Sequence, residues 1–80
     1  METTFLNQER YNLHTFSNSS NLAFAKHDCI MNTLELTFQN GSQYVYSGVT
    51  DDIFQTLITS TSAGNYFSKI IRKFKCEKIK

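Results

Sequence analysis

Leu34-Glu35-Leu36-Thr37-Phe38-Gln39-Asn40-Gly41-Ser42-Gln43-Tyr44-Val45-Tyr46-Ser47-Gly48 is the stretch that decides the fold. Leu34, Leu36 and Phe38 alternate with Glu35, Thr37 and Gln39; beyond Asn40-Gly41, Tyr44 and Tyr46 alternate with Gln43, Val45 and Ser47. Period-two alternation on both sides of Asn-Gly signals a β-hairpin, because Asn and Gly tolerate the positive φ angles of a type I′ turn. A two-residue turn opposes Gln39 to Ser42, Thr37 to Tyr44 and Glu35 to Tyr46. Directly opposed residues share a face. This register therefore puts both tyrosines on the polar side, available to a ligand or partner, and turns Gln43 and Val45 toward Leu36 and Phe38. Gly48 ends the second strand.

Upstream, Leu22, Phe24 and Lys26 alternate with Ala23, Ala25 and His27, which predicts a strand covered on one side. Ser17-Asn18-Ser19-Ser20-Asn21 before it reads as a turn, since Ser and Asn bond readily to their own backbone. The first eighteen residues are polar and mixed apart from Phe5 and Leu6. Within them, Tyr11, Leu13 and Thr15 alternate with Asn12, His14 and Phe16, a weaker signal for an extra strand. Downstream, the spacing becomes helical. Thr50 stands at a cap position, Asp51 and Asp52 place negative charge in the first turn, and Ile53, Phe54, Leu57 and Ile58 form one stripe. After a break over Ser60 to Gly64, Tyr66, Phe67, Ile70, Ile71 and Phe74 make the stripe of a second helix, with Lys69, Arg72 and Lys73 mostly off it. The expected architecture is α+β: a three- or four-stranded antiparallel meander sheet followed by two helices packed on one face. Residues 1–18 form an N-terminal extension, 19–75 the domain, and 76–80 a basic tail.

Eighty residues are enough for one small core, and an aromatic share of 14%, seven Phe and four Tyr, supplies large apolar contacts for it. No apolar run approaches the roughly 20 residues of a membrane span, and no leader pattern opens the chain, so the expectation is a soluble cytoplasmic protein without a membrane partner. Cys29 and Cys76 form no CxxC pair, so reduced thiols are expected, with a disulfide as the alternative if the fold brings them together. The net charge of +1 divides into +5 from residue 69 onward and −4 before it. A basic end attracts nucleic acid, a nucleotide or an acidic protein, or it merely complements a helix C-terminus.

Several blocks together resemble the KTSC domain: Ser19-Ser20-Asn21-Leu22, Leu34-Glu35-Leu36-Thr37-Phe38 with Asn40-Gly41, Tyr44-Val45-Tyr46-Ser47-Gly48-Val49, Phe54, Leu57, and Ser62-Ala63-Gly64-Asn65-Tyr66-Phe67 with Ile71-Arg72. That short module occurs at the C-terminus of some lysyl-tRNA synthetases and as a free-standing protein in bacteria and phages. The resemblance covers residues 19 to 75 and implies the same α+β frame; the synthetase association implies RNA or nucleotide binding only by analogy. Five positions depart from the family pattern. Thr50 stands where proline is usual, Ser60 where alanine is, Lys26-His27 where Gly-Tyr is favoured, and Phe74 where tyrosine is common.

Ser60, Ser62, Gly64, Asn65 and Tyr66 at a helix start, with Arg72 and Lys73 following, suit an anion: unpaired N–H groups, hydroxyl donors and a guanidinium for phosphate oxygens. The plainer reading is that Ser62 or Asn65 caps the helix and Gly64 permits the turn. Tyr44 and Tyr46 add surfaces on which bases stack. His14, His27, Asp28 and Cys29 are catalytic residue types, but no nucleophile elbow, HExxH pattern or Gly-rich nucleotide loop accompanies them, and strand neighbours point to opposite faces. The expectation is a non-enzyme with no cofactor and no metal. Two functions stand: a binding module for RNA or a small phosphorylated nucleotide, or a protein-interaction module acting through exposed aromatics or an edge strand, such as a phage inhibitor of a host protein. A phage origin would add a third, a homo-oligomer serving as a sponge for a host nucleotide immune signal.

Overall fold

The computed structural model describes residues 10–17 and 19–80. Phe5, Leu6 and Asn18 lie outside the described residues. Among the described residues, five strands form one antiparallel sheet in chain order: β1 Tyr11–Thr15, β2 Leu22–Asp28, β3 Thr33–Phe38, β4 Gln43–Ser47 and β5 Cys76–Lys78. Between β4 and β5 lie α1 Asp51–Thr59, α2 Ala63–Lys69 and a 3-10 turn Ile71–Lys73. The fold is α+β, with the helices on one face of the sheet. Leu22, Ala25, Leu34, Leu36 and Tyr46 from that face meet Phe54 and Leu57 of α1 and Ile71 of the 3-10 turn in a single core.

The hairpin register differs by one residue from the two-residue reading. Leu36 opposes Tyr44, Leu34 opposes Tyr46, and Thr37 opposes Gln43. Phe38 and Ser42 close a three-residue loop: Gly41 N–H donates to the Phe38 carbonyl at 2.9 Å, and Phe38 N–H donates to the Ser42 carbonyl at 2.8 Å. Gly41 is left-handed at φ +92°. This is a type I turn followed by a glycine bulge, the next commonest hairpin after the primed two-residue turns. The Asn40 side chain reinforces it by accepting from Ser42 N–H at 3.0 Å. A one-residue shift moves every side chain to the other face. The expectation that Tyr44 and Tyr46 lie on the polar side is therefore overturned: they face the helices, and Tyr46 is 4% exposed.

A second irregularity reorganises β2. Leu22 opposes Phe38 while Phe24 opposes Thr37, so Ala23 is the extra residue of a bulge. Leu22 thereby joins Ala25 and His27 on the covered face, and Phe24 and Lys26 turn to the open one, breaking the simple alternation Leu22, Phe24, Lys26. The β2–β3 turn is held by Asp28, whose Oδ1 accepts from Ile30 and Met31 N–H at 2.9 and 3.1 Å. Asp28 also meets Arg10, whose Nε lies 3.1 Å from each carboxylate oxygen.

α2 is shorter than its apolar stripe suggests. It ends at Lys69 with Ile70 as its C-cap, and Ile71 is fully buried while Ile70 remains 37% exposed. The two isoleucines serve different surroundings, so the stripe is not one continuous helix face. The residues read as a basic tail fold onto the outer edge of β4. Ser47 N–H donates to the Lys75 carbonyl, Ile79 N–H to the Gln43 carbonyl, and Tyr46 opposes Cys76. An uncovered edge with unpaired backbone groups recruits even a Cys-Glu-Lys segment of modest strand propensity. Cys29 follows β2 and Cys76 lies in β5, with two strands between them. Three strand spacings amount to roughly 14 Å, well beyond the reach of a disulfide.

Candidate functional site

The register that buries Tyr46 also builds a groove. At the hairpin end of the sheet, Phe38, Asn40, Ser42, Tyr44, Tyr46, Phe67 and Arg72 line an open hollow of about 360 Å³. The hairpin supplies the first five, α2 supplies Phe67, and the 3-10 turn supplies Arg72. Its floor is an edge-to-face aromatic chain. Phe38 meets Tyr44 at 5.7 Å and Phe67 at 5.4 Å between ring centroids, and Tyr46 meets Phe67 at 5.8 Å, with interplanar angles of 86°, 73° and 84°. Each such contact adds about 0.5–1.5 kcal/mol beyond area burial and fixes ring orientation, so the floor is preorganised.

Burial pushes the Tyr46 phenol up to about 12, with Cys76 and Tyr44 adding to the rise and the Arg72 guanidinium opposing it. At neutral pH the groove thus offers a neutral phenol beside a cation. Arg72 is solvent-exposed, so its planar fork is available to an anion. Lys78 of β5 opposes Tyr44 and so lies on the same face. No His, Cys, Asp or Glu belongs to the lining, which suits it to binding bases and phosphate rather than to proton transfer.

The hydroxyl-rich turn stands apart. Ser62 is the N-cap of α2, its Oγ accepting from Asn65 N–H at 3.4 Å, and Ser60 Oγ accepts from Ser62 N–H at 3.2 Å. These hydroxyls are engaged in holding the turn. Gly64 faces Asn21, where a Cβ would sit 3.9 Å from Nδ2. Tyr66 packs half-buried against the core, and Asn65 and Lys73 are exposed. Ser60 lines a different hollow of about 290 Å³, shared with Thr61, His14 and Ser17. Of the residues singled out in the sequence, Tyr44, Tyr46 and Arg72 are brought together; Ser60, Ser62, Gly64, Asn65, Tyr66 and Lys73 are not among the groove's lining. Phe38, Asn40, Ser42 and Phe67 were missed, and the correct hairpin register would have found Phe38 beside Tyr44.

The sequence model of the KTSC domain matches residues 18–74. The chain belongs to the KTSC domain family. The crystal structure of a KTSC domain protein from Yersinia pestis is 30% identical and superimposes with a TM-score of 0.78, covering 88% of this chain and 99% of that one. No curated protein matches.

Lys26, His27, Thr50, Ser60 and Phe74 all lie outside the lining of the groove. Lys26 extends over the Tyr11 ring on the open face, 4.6 Å from its centroid. His27 is fully buried, stacked on Phe54 at 4.8 Å, and its Nε2–H donates to the Val49 carbonyl at 2.6 Å. That bond ties β2 to the start of α1. Phe74 packs beside Gly48, and Thr50 holds the N-cap position of α1 without a side-chain cap bond. His27 faces the core and Asp28 the opposite face. Among the described residues, no three His, Cys, Asp or Glu converge on a metal-sized site.

Proposed function

We propose that this KTSC domain is a non-catalytic binding module for a ligand that combines an aromatic base with a phosphate, either single-stranded RNA or a small nucleotide. The observation that carries the reading is the placement of Arg72 on the rim of a groove floored by Phe38, Tyr44, Tyr46 and Phe67. A base stacks on an aromatic surface for roughly 1–3 kcal/mol, and a guanidinium binds phosphate through paired charge-assisted bonds. Lys78 adds a cation on the same face of the sheet, and the other exposed lysines after residue 72 make this end of the chain basic.

Calorimetric titration with mononucleotides and with a short oligoribonucleotide, at low and high salt, tests the proposal. Arg72→Ala should weaken binding about tenfold, the equivalent of about 1.4 kcal/mol. A steep loss with salt identifies a polynucleotide, a shallow one a mononucleotide. Wild-type protein that binds neither at low salt contradicts the reading. A phage gene neighbourhood would make the same groove a sponge for a host nucleotide signal.

One observation favours a second reading. Among the described residues, β1 and β5 are the two ends of the sheet, and each presents an outer edge to which a partner strand can add. On that reading the domain engages a host protein by strand pairing, and its affinity would be insensitive to Arg72→Ala.

A further inference from the structure

The turn that fixes the hairpin register also carries the groups for a reaction within the chain. Of the asparagines in the sequence, Asn40 alone precedes a glycine. Asn40 and Gly41 are both exposed, and a Cβ placed on Gly41 would meet nothing within 4 Å. No side chain at Gly41 hinders approach of its nitrogen to the Asn40 amide carbon, the two atoms that close a succinimide ring. The Asn40 Oδ1 accepts from Ser42 N–H at 3.0 Å. That oxygen takes on negative charge when the nitrogen adds to Cγ, so the Ser42 N–H stands where an oxyanion donor is needed. One contact opposes the reaction: Gly41 N–H donates to the Phe38 carbonyl at 2.9 Å and must be released before the nitrogen can lose its proton. An exposed loop tip opens at small cost. Elsewhere the following residue is bulkier or held: behind Asn21, Leu22 N–H donates to Ser19 Oγ; behind Asn65, Tyr66 N–H donates to the Ser62 carbonyl; and the residue after Asn32 is the β-branched Thr33.

We propose that Asn40 is a self-modification site, deamidated through attack by Gly41, and that its product turns the groove against anions. Hydroxide takes the proton of the Gly41 nitrogen, which bonds to Asn40 Cγ; the bond from Cγ to the side-chain nitrogen breaks, and that nitrogen leaves as ammonia after taking a proton from water. Water then adds to either imide carbonyl and breaks its bond to the ring nitrogen, giving aspartate or its β-linked isomer. The balance is water consumed and ammonia released, with no oxidant or reductant. Both products carry a carboxylate where Asn40 is neutral, and the isomer also adds a carbon to the backbone of the loop that sets the register. Asn40 lines the same hollow as Arg72, so the new charge repels a phosphate and competes for the guanidinium. This second half rests on the groove being the ligand site. Because ammonia is lost, the change is one-way and dates the molecule.

Peptide mapping by mass spectrometry of the full native chain, held in mildly alkaline buffer, tests the first half. Asn40 should gain the mass of OH over NH2 faster than any other asparagine, and unfolding in urea should speed it by less than about tenfold, since little opening is needed. Conversion led by another asparagine, or a native rate suppressed further than that, overturns it. For the second half, Asn40→Asp should bind a mononucleotide about fivefold or more weakly than the wild type, with a deficit that shrinks as salt rises. Wild-type protein aged to full conversion and separated from fresh protein by ion exchange should show the same loss, and it decides alone if Asn40→Asp does not fold. Unchanged affinity, or a deficit indifferent to salt, overturns the second half. Wild-type protein that binds no mononucleotide contradicts the groove reading and takes the second half with it, while the conversion rate still decides the first.

Discussion

The two faces of the sheet are made from alternate residues of the same strands, yet they do different things. The covered face takes Leu34, Leu36, Tyr44 and Tyr46 into the core and, where the helices stop short, into the aromatic groove at Arg72. The open face takes Glu35, Thr37, Gln43 and Val45, which are half-buried and outside the core. Which set goes where depends on a single loop residue, because a three-residue loop and a two-residue loop place opposite sets inward. A functional surface can thus be assigned to the wrong side of a domain by one residue of register.

The largest expected effect separates the faces by stability. Leu36→Ala should cost about 3 kcal/mol in urea unfolding, whereas Thr37→Ala, one residue away on the open face, should change stability by no more than about 0.5 kcal/mol. Comparable losses at both positions would break the face assignment.

The next effect is an alkaline limb belonging to the covered face. The Tyr46 phenol is held up to about 12, chiefly by burial, whereas an unfolded tyrosine ionises near pH 10. Between about pH 10 and 12 the unfolded chain releases a proton that the folded chain keeps, so stability falls as pH rises through this window. Tyr46→Phe should remove that contribution to the slope, and tyrosinate absorbance should show one late-titrating phenol. A Tyr46 signal that titrates near pH 10 in the native protein would contradict the buried placement.

The smallest effect is an acid limb belonging to the open face. The Arg10 guanidinium, helped by the Met31 and Ile30 N–H groups, holds the Asp28 carboxyl down to about 2 against the opposing effect of burial. A carboxyl lowered in the folded state contributes stability above its unfolded value, about 3.9, and that contribution is lost as pH falls toward about 2. Asp28→Asn should be less stable at neutral pH and flatter across the acid range. Chemical denaturation of the two proteins at matched pH values measures the difference.

Much of the frame is legible from residues alone, and the misreadings have identifiable causes. The strands around Asn40-Gly41 and the α1 stripe follow directly from periodicity. Their register does not, because Gly41 is equally suited to a type I′ turn and to the left-handed bulge after a type I turn, and only the closing pair Phe38 and Ser42 distinguishes them. The bulge at Ala23 leaves no local mark, since alanine fits either face. β5 was invisible because the edge of β4, not its own composition, makes it a strand. For the site, Arg72 and the two tyrosines were found but combined with a serine turn whose hydroxyls are engaged in capping. Phe67 and Phe38 escaped because their meeting depends on tertiary packing between α2 and the hairpin.

The central claim is that the groove beneath Arg72 is the ligand site, and chemical-shift mapping during titration with a mononucleotide tests it most directly. The account predicts perturbations at the rings of Phe38, Tyr44, Tyr46 and Phe67 and at the Arg72 Nε–H, all abolished by Arg72→Ala. Perturbations confined to the Ser60 to Asn65 turn, or none at saturating ligand, would contradict it.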